Sequence, residues 1–106
     1  MATLDEQIQL AEQIAKQLPE VTRNEWMRWM QVATQRGLDY AIRYAEQLST
    51  DPTMRPAIQR ANRLIAQAVR SHQQVLKRLD PKDQRAVLGY VSWLLKIGAL
   101  RGALRA

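Results

Sequence analysis

Apolar residues recur at three- and four-residue spacing through almost the whole chain, and all four prolines fall between those runs rather than inside them. That period is the signature of helices burying one face, and the strict alternation a half-buried strand needs is absent. The first run is Leu4, Ile8, Ala11, Ala15 and Leu18, closed by Pro19; the second carries Trp26, Trp29, Met30 and Ala33 and reaches Gly37. Thr3 with Glu6, and Thr22 with Glu25, have the spacing of capping boxes, in which each side chain satisfies a free backbone N–H at a helix start. Gly37 reads as a left-handed C-cap or a kink. A third run, Leu38, Ala41, Ile42, Ala45 and Leu48, ends in Ser-Thr-Asp-Pro-Thr-Met-Arg-Pro.

The longest predicted helix follows, from about Met54 to Leu79. Asp80-Pro81-Lys82-Asp83 then supplies an N-cap, a proline at the first helical position and an early acidic residue. These open a last helix that turns Ala86, Val87, Tyr90, Val91, Leu94 and Leu95 inward, with Gly98 and Gly102 weakening its end. With no repeat or linker, the expectation is one all-α domain over residues 1–106, a compact bundle of four to five helices. A chain of 106 residues buries roughly 65% of its unfolded surface, enough to fold without a metal or disulfide.

Several chemistries are excluded by residue counts. There is no Cys and a single His, His72, so thiolate chemistry, disulfides and a His-based metal cluster are out. His72 falls in the apolar arc of the long helix and reads as a core-edge histidine with one hydrogen bond. Glu20, Glu25, Asp39, Glu46 and Asp51 are scattered, and no glycine-rich phosphate loop or Gly-x-Ser-x-Gly motif occurs. No catalytic residue, cofactor or metal is therefore expected, and the chain reads as a non-enzyme. No uncharged apolar run is long enough to cross a membrane, and the N-terminus has no basic and apolar leader, so the expected location is cytoplasmic.

Charge is the most informative remaining feature. The net +6 divides unevenly: residues 1–53 hold five basic and eight acidic side chains, residues 54–106 eleven and two. Twelve of the sixteen cations are Arg, whose planar fork matches phosphate oxygens. On a helical wheel Arg55, Arg60, Arg63, Arg70, Lys77 and Arg78 share an arc of about 140°, opposite Ile58, Ala61, Leu64, Ile65, Ala68 and Val69. No acidic residue lies between Met54 and Leu79, so the stripe has no partner on its own helix. Lys82 and Arg85 extend it past the turn. Of the aromatic residues, most are expected to fill a core that has no Phe, while Trp29 or Tyr40 is the candidate for stacking on a base or filling a partner's pocket.

At Gly37-Leu38-Asp39-Tyr40-Ala41-Ile42-Arg43-Tyr44-Ala45, with Trp93-Leu94-Leu95 near the end, the chain resembles the small all-helical subunits of multisubunit CRISPR effector complexes, chiefly those of type III. That resemblance implies a non-catalytic subunit stacked in several copies along a guide–target duplex, presenting basic side chains to its backbone. Residues and resemblance together lead to the expectation of a ribonucleoprotein subunit that contacts phosphates, RNA first, beside other protein subunits, with head-to-tail self-association as one mode of stacking and no membrane contact. The alternative is a protein-interaction module, an adaptor or inhibitor, docking the same stripe on an acidic partner protein.

Overall fold

Two capping boxes set where the first two helices begin. Thr3 Oγ1 accepts from the Glu6 N–H at 3.2 Å and the Glu6 carboxylate accepts from the Thr3 N–H. Thr22 and Glu25 repeat the exchange at 3.1 and 2.8 Å. The computed structural model describes residues 3–105, with side chains to residue 98. Within it run α1 (Leu4–Lys16), α2 (Arg23–Arg36), α3 (Leu38–Thr50), α4 (Pro56–Ser71), α5 (Gln73–Arg78) and α6 (Pro81–Arg105). The all-α expectation holds, with five longer helices and the six-residue α5.

Gly37 divides α2 from α3. It closes one helix, its N–H reaching the Ala33 carbonyl, and opens the next at φ 92°, ψ 163°, a conformation essentially confined to glycine. Between α3 and α4 the Asp51 carboxylate accepts from the Thr53 N–H and hydroxyl at 2.9 and 2.7 Å, and Gln59 donates to the Asp51 carbonyl. These bonds replace the backbone pairing that Pro52 and Pro56 cannot provide.

The long helix read from Met54 to Leu79 is two helices, broken at His72. Ser71 Oγ donates into the last-turn carbonyls of Gln67 and Ala68, His72 Nδ1 lies 2.9 Å from the Ala68 carbonyl, and the His72 N–H turns back to Val69. Side chains that compete for the carbonyls of a final turn favour its termination. Half-buried at the break, His72 fits the core-edge reading, although its place in the middle of a continuous apolar arc does not survive.

Packing is organised about α2. α3 lies along α4, α1 lies along α6, and α2 touches both pairs. Trp26 and Trp29 are fully buried on it, with Ile14, Leu18, Ile42, Ile65, Val69, Leu76, Val87, Leu88 and Val91 around them. On α1 the buried set is Gln7, Ala11 and Ile14; Ala11, and Leu18 just beyond the helix, are core as the stripe predicts, whereas Leu4 at its start is 58% exposed. The helix is rolled so that Leu4 and Ile8 sit at the edge of the core. On α6 Val87, Leu88 and Val91 go inward, and Trp93 stays outside at 60% exposure.

Candidate nucleic-acid interface

The α4 surface is decided by its apolar side. Ala61, Ile65, Ala66, Ala68 and Val69 are buried, which leaves Arg60, Arg63, Gln67 and Arg70 exposed. Those four share an arc of about 80°, and Arg60 to Arg70 spans about 15 Å. The remaining sequence candidates do not continue this ridge in a straight line. Arg55 precedes Pro56 at the N-cap, Lys77 and Arg78 sit on α5 beyond the His72 break, and Lys82 and Arg85 belong to the first turns of α6. The eight cations therefore follow three elements.

The expectation that the stripe has no acidic partner is corrected by tertiary packing. Arg60 meets Glu20 at 3.6 Å, Arg70 meets Glu46, and Lys77 meets Asp39 at 3.0 Å. Glu46 and Asp39 arrive because α3 packs along α4, and Glu20 because the turn after α1 lies beside it. Arg55, Arg63, Arg78, Lys82 and Arg85 make no ion pair among the described residues. Exposed pairs of the Arg60–Glu20 kind contribute ~0–1 kcal/mol, so a phosphate can replace the carboxylate at little cost. The ridge keeps its donors while its field is reduced.

One cation of this surface was missed by reading the chain linearly. Arg43 stands with Asp39, Arg70, Gln73 and Lys77 around a shallow groove between α3 and the α4–α5 junction, with Ile42 beneath. Its signal was the i,i+4 spacing from Asp39, which puts both on one face of α3. Lys77 and then Gln73, the latter at 2.9 Å, hydrogen-bond the Asp39 carboxylate and hold its pKa below the ordinary 3.8. The groove thus presents three cations around one carboxylate.

The two aromatic candidates separate. Trp29 is 1% exposed and donates its indole N–H to the Ala41 carbonyl at 2.8 Å, so the reading of it as a surface stacking platform is overturned. Tyr40 is 45% exposed, with the Arg36 guanidinium over one face of its ring at 5.6 Å from the centroid. Among the described residues no group of three His, Cys, Asp or Glu side chains is placed to hold a metal ion, and no helix is long and apolar enough to cross a membrane. Comparison with protein-family models, curated proteins and solved structures finds no match to this chain.

Proposed function

We propose that this chain is a non-catalytic small subunit of a cytoplasmic ribonucleoprotein assembly, holding nucleic-acid backbone, RNA first, on the α4 ridge and the adjoining groove. The observation that carries this reading is the exposure of Arg60, Arg63 and Arg70 along one side of a helix that has no acidic residue of its own. Arg63 is at the centre of the ridge and has no ion pair among the described residues. Backbone contact is favoured over base reading by the side chains: the ridge offers guanidinium forks, Trp29 is buried in the core, and Tyr40 stands on α3 rather than on the ridge. The type of assembly is taken from the resemblance to CRISPR effector small subunits. Leu38, Ala41, Ile42 and Ala45 within that resemblance are core positions of α3, so the weight rests on the ridge.

The test is binding of a labelled ~30-nucleotide RNA across a salt series, where the slope counts phosphate contacts. Affinity is expected to fall steeply with salt, and Arg63→Glu to weaken binding equally for unrelated sequences. Absence of binding at low salt, or an Arg63→Glu variant that binds as the parent does, would transfer the ridge to an acidic protein partner.

A further inference from the structure

The outward stripe of α6 combines cations with an open aromatic ring. Lys82, Arg85, Trp93 and Lys96 are exposed and, with Gly89, share an arc of about 80° over a length of about 21 Å; Asp83 falls outside that arc. Lys82, Arg85 and Lys96 make no ion pair among the described residues. Trp93 differs from the other two tryptophans. Trp26 and Trp29 are buried and donate to backbone carbonyls, whereas Trp93 is 60% exposed and makes neither a hydrogen bond nor a ring contact among the described residues. A helical side chain covers the turn before its own Cα, so the indole lies toward Gly89, where no side chain screens it. A Cβ at Gly89 would meet no atom within 4 Å. Beside the ring is an apolar depression walled by Ile8 of α1 and by Tyr90 and Leu94, which pack against the core.

We propose that this stripe holds an unpaired stretch of RNA, with one base stacked on Trp93 and the flanking phosphates on Lys82, Arg85 and Lys96. The proposal rests on the nucleic-acid reading of the chain, though not on the α4 ridge. Charge complementarity selects the occupant. A single strand alternates flat π faces with anions, which is the complement of an indole set between unpaired cations on one helix face. An apolar peptide would leave the three cations uncompensated, and a second copy of the same stripe would oppose them to one another. Across the depression, Asp5, Glu12 and Lys16 flank Ile8 on the exposed side of α1, so the strand follows α6 instead of crossing to that mixed edge. A duplex does not serve, since its bases already stack on each other. The stacking role expected of Trp29 or Tyr40 thus falls to Trp93, and because stacking uses the face that every base has, no sequence is read.

Tryptophan emission during titration with an unstructured uridine oligonucleotide at low salt tests this directly. Trp26 and Trp29 are buried, so quenching by the RNA reports Trp93. Trp93→Ala should keep the helix content of the parent, abolish the quenching and raise the dissociation constant about tenfold. Trp93→Phe should bind with intermediate affinity, while Trp93→Leu, apolar but without a ring face, should bind as weakly as the alanine variant. A blunt RNA duplex should bind the parent and Trp93→Ala equally. An oligonucleotide that binds without quenching, or a Trp93→Leu variant that binds as the parent does, would overturn the stacking site and leave the α4 ridge standing. The converse result, binding lost in Trp93→Ala and kept in Arg63→Glu, would uphold α6 and remove the ridge. Absence of RNA binding at low salt, with the emission responding instead to anionic phospholipid vesicles or to an acidic peptide, would overturn both.

Discussion

Trp26 and Trp29 stand with ring centroids 4.9 Å apart and planes tilted by 38°, yet they donate to different helices. Trp26 Nε1 reaches the Leu88 carbonyl of α6 at 3.0 Å, and Trp29 Nε1 reaches the Ala41 carbonyl of α3 at 2.8 Å. One turn of α2 therefore clamps the pair α1 and α6 to the pair α3 and α4, with both of these indole N–H groups satisfied inside the core. The basic ridge of α4 is backed by this clamp through α3, along which α4 packs.

That arrangement predicts a graded response at Trp29. Trp29→Phe keeps most of the ring and loses the donor, so the expected cost is about 1 kcal/mol plus a small packing loss. Trp29→Ala removes the ring as well and is expected to cost about 3–5 kcal/mol. Urea unfolding followed by circular dichroism measures both, and an alanine variant as stable as the phenylalanine one would contradict the clamp.

Gly37 and Gly98 should respond to alanine with opposite signs. At Gly37 the φ of 92° and ψ of 163° are unsuited to any side chain, although no atom stands within 4 Å of where Cβ would be. The cost is thus backbone strain alone, about 1–3 kcal/mol. Gly98 lies inside α6 with equally open surroundings and no positive φ, so Gly98→Ala is expected to stabilise by up to about 1 kcal/mol. Melting temperatures of the two variants decide the matter; loss of stability in both would mean that α6 needs Gly98 for a contact outside the chain.

Acid should act through two carboxylates. Hydrogen bonds from Lys77 and Gln73 lower the pKa of Asp39, and those from the Thr53 hydroxyl and N–H lower that of Asp51. A carboxylate whose pKa is lower folded than unfolded favours the folded state above its unfolded value, and that contribution disappears as pH falls through the folded one. The window therefore opens below the ordinary 3.8. Asp39→Asn should reduce the loss of stability on acidification in that range and leave neutral-pH behaviour of the Asp51 turn unchanged. Carboxyl carbon chemical shifts, followed by NMR during titration, read each group directly, and an Asp39 midpoint at or above 3.8 would remove the basis for this prediction.

How much of this was legible in the chain depends on whether the deciding interaction is local. Capping boxes at Thr3 and Thr22 and the N-cap at Asp80 are bonds between residues three apart, and each stands where the sequence puts it; at Gly37, where a C-cap and a kink were both open, the helix stops. The break at His72 was missed because apolar periodicity continues straight through it; only the Ser71 and His72 side chains, which turn back onto Gln67 and Ala68, interrupt the helix. Roll about a helix axis is likewise tertiary. Leu4 and Ile14 are both apolar and fit different faces, and it is the contact with α6 that buries Ile14 and leaves Leu4 outside. The ion pairs of Arg60, Arg70 and Lys77 join residues far apart in the chain, so a wheel drawn for one helix has no means of showing them.

Those ion pairs yield the sharpest test of the ridge. Glu20 takes a left-handed backbone conformation, φ 68°, which asparagine adopts more readily than most residues, and its carboxylate sits 3.6 Å from Arg60. Glu20→Asn should therefore leave stability unchanged or slightly raised, while freeing Arg60 and strengthening RNA binding by roughly two- to fivefold at low salt with a steeper salt slope. Glu46→Gln should do the same through Arg70. Glu6→Gln makes the identical change in net charge on α1, away from α4, keeps the capping box with Thr3, and should alter binding little. If all three variants strengthen binding equally, overall charge rather than the α4 ridge governs the interaction; if only Glu20 and Glu46 respond, the nucleic acid lies along Arg60, Arg63 and Arg70.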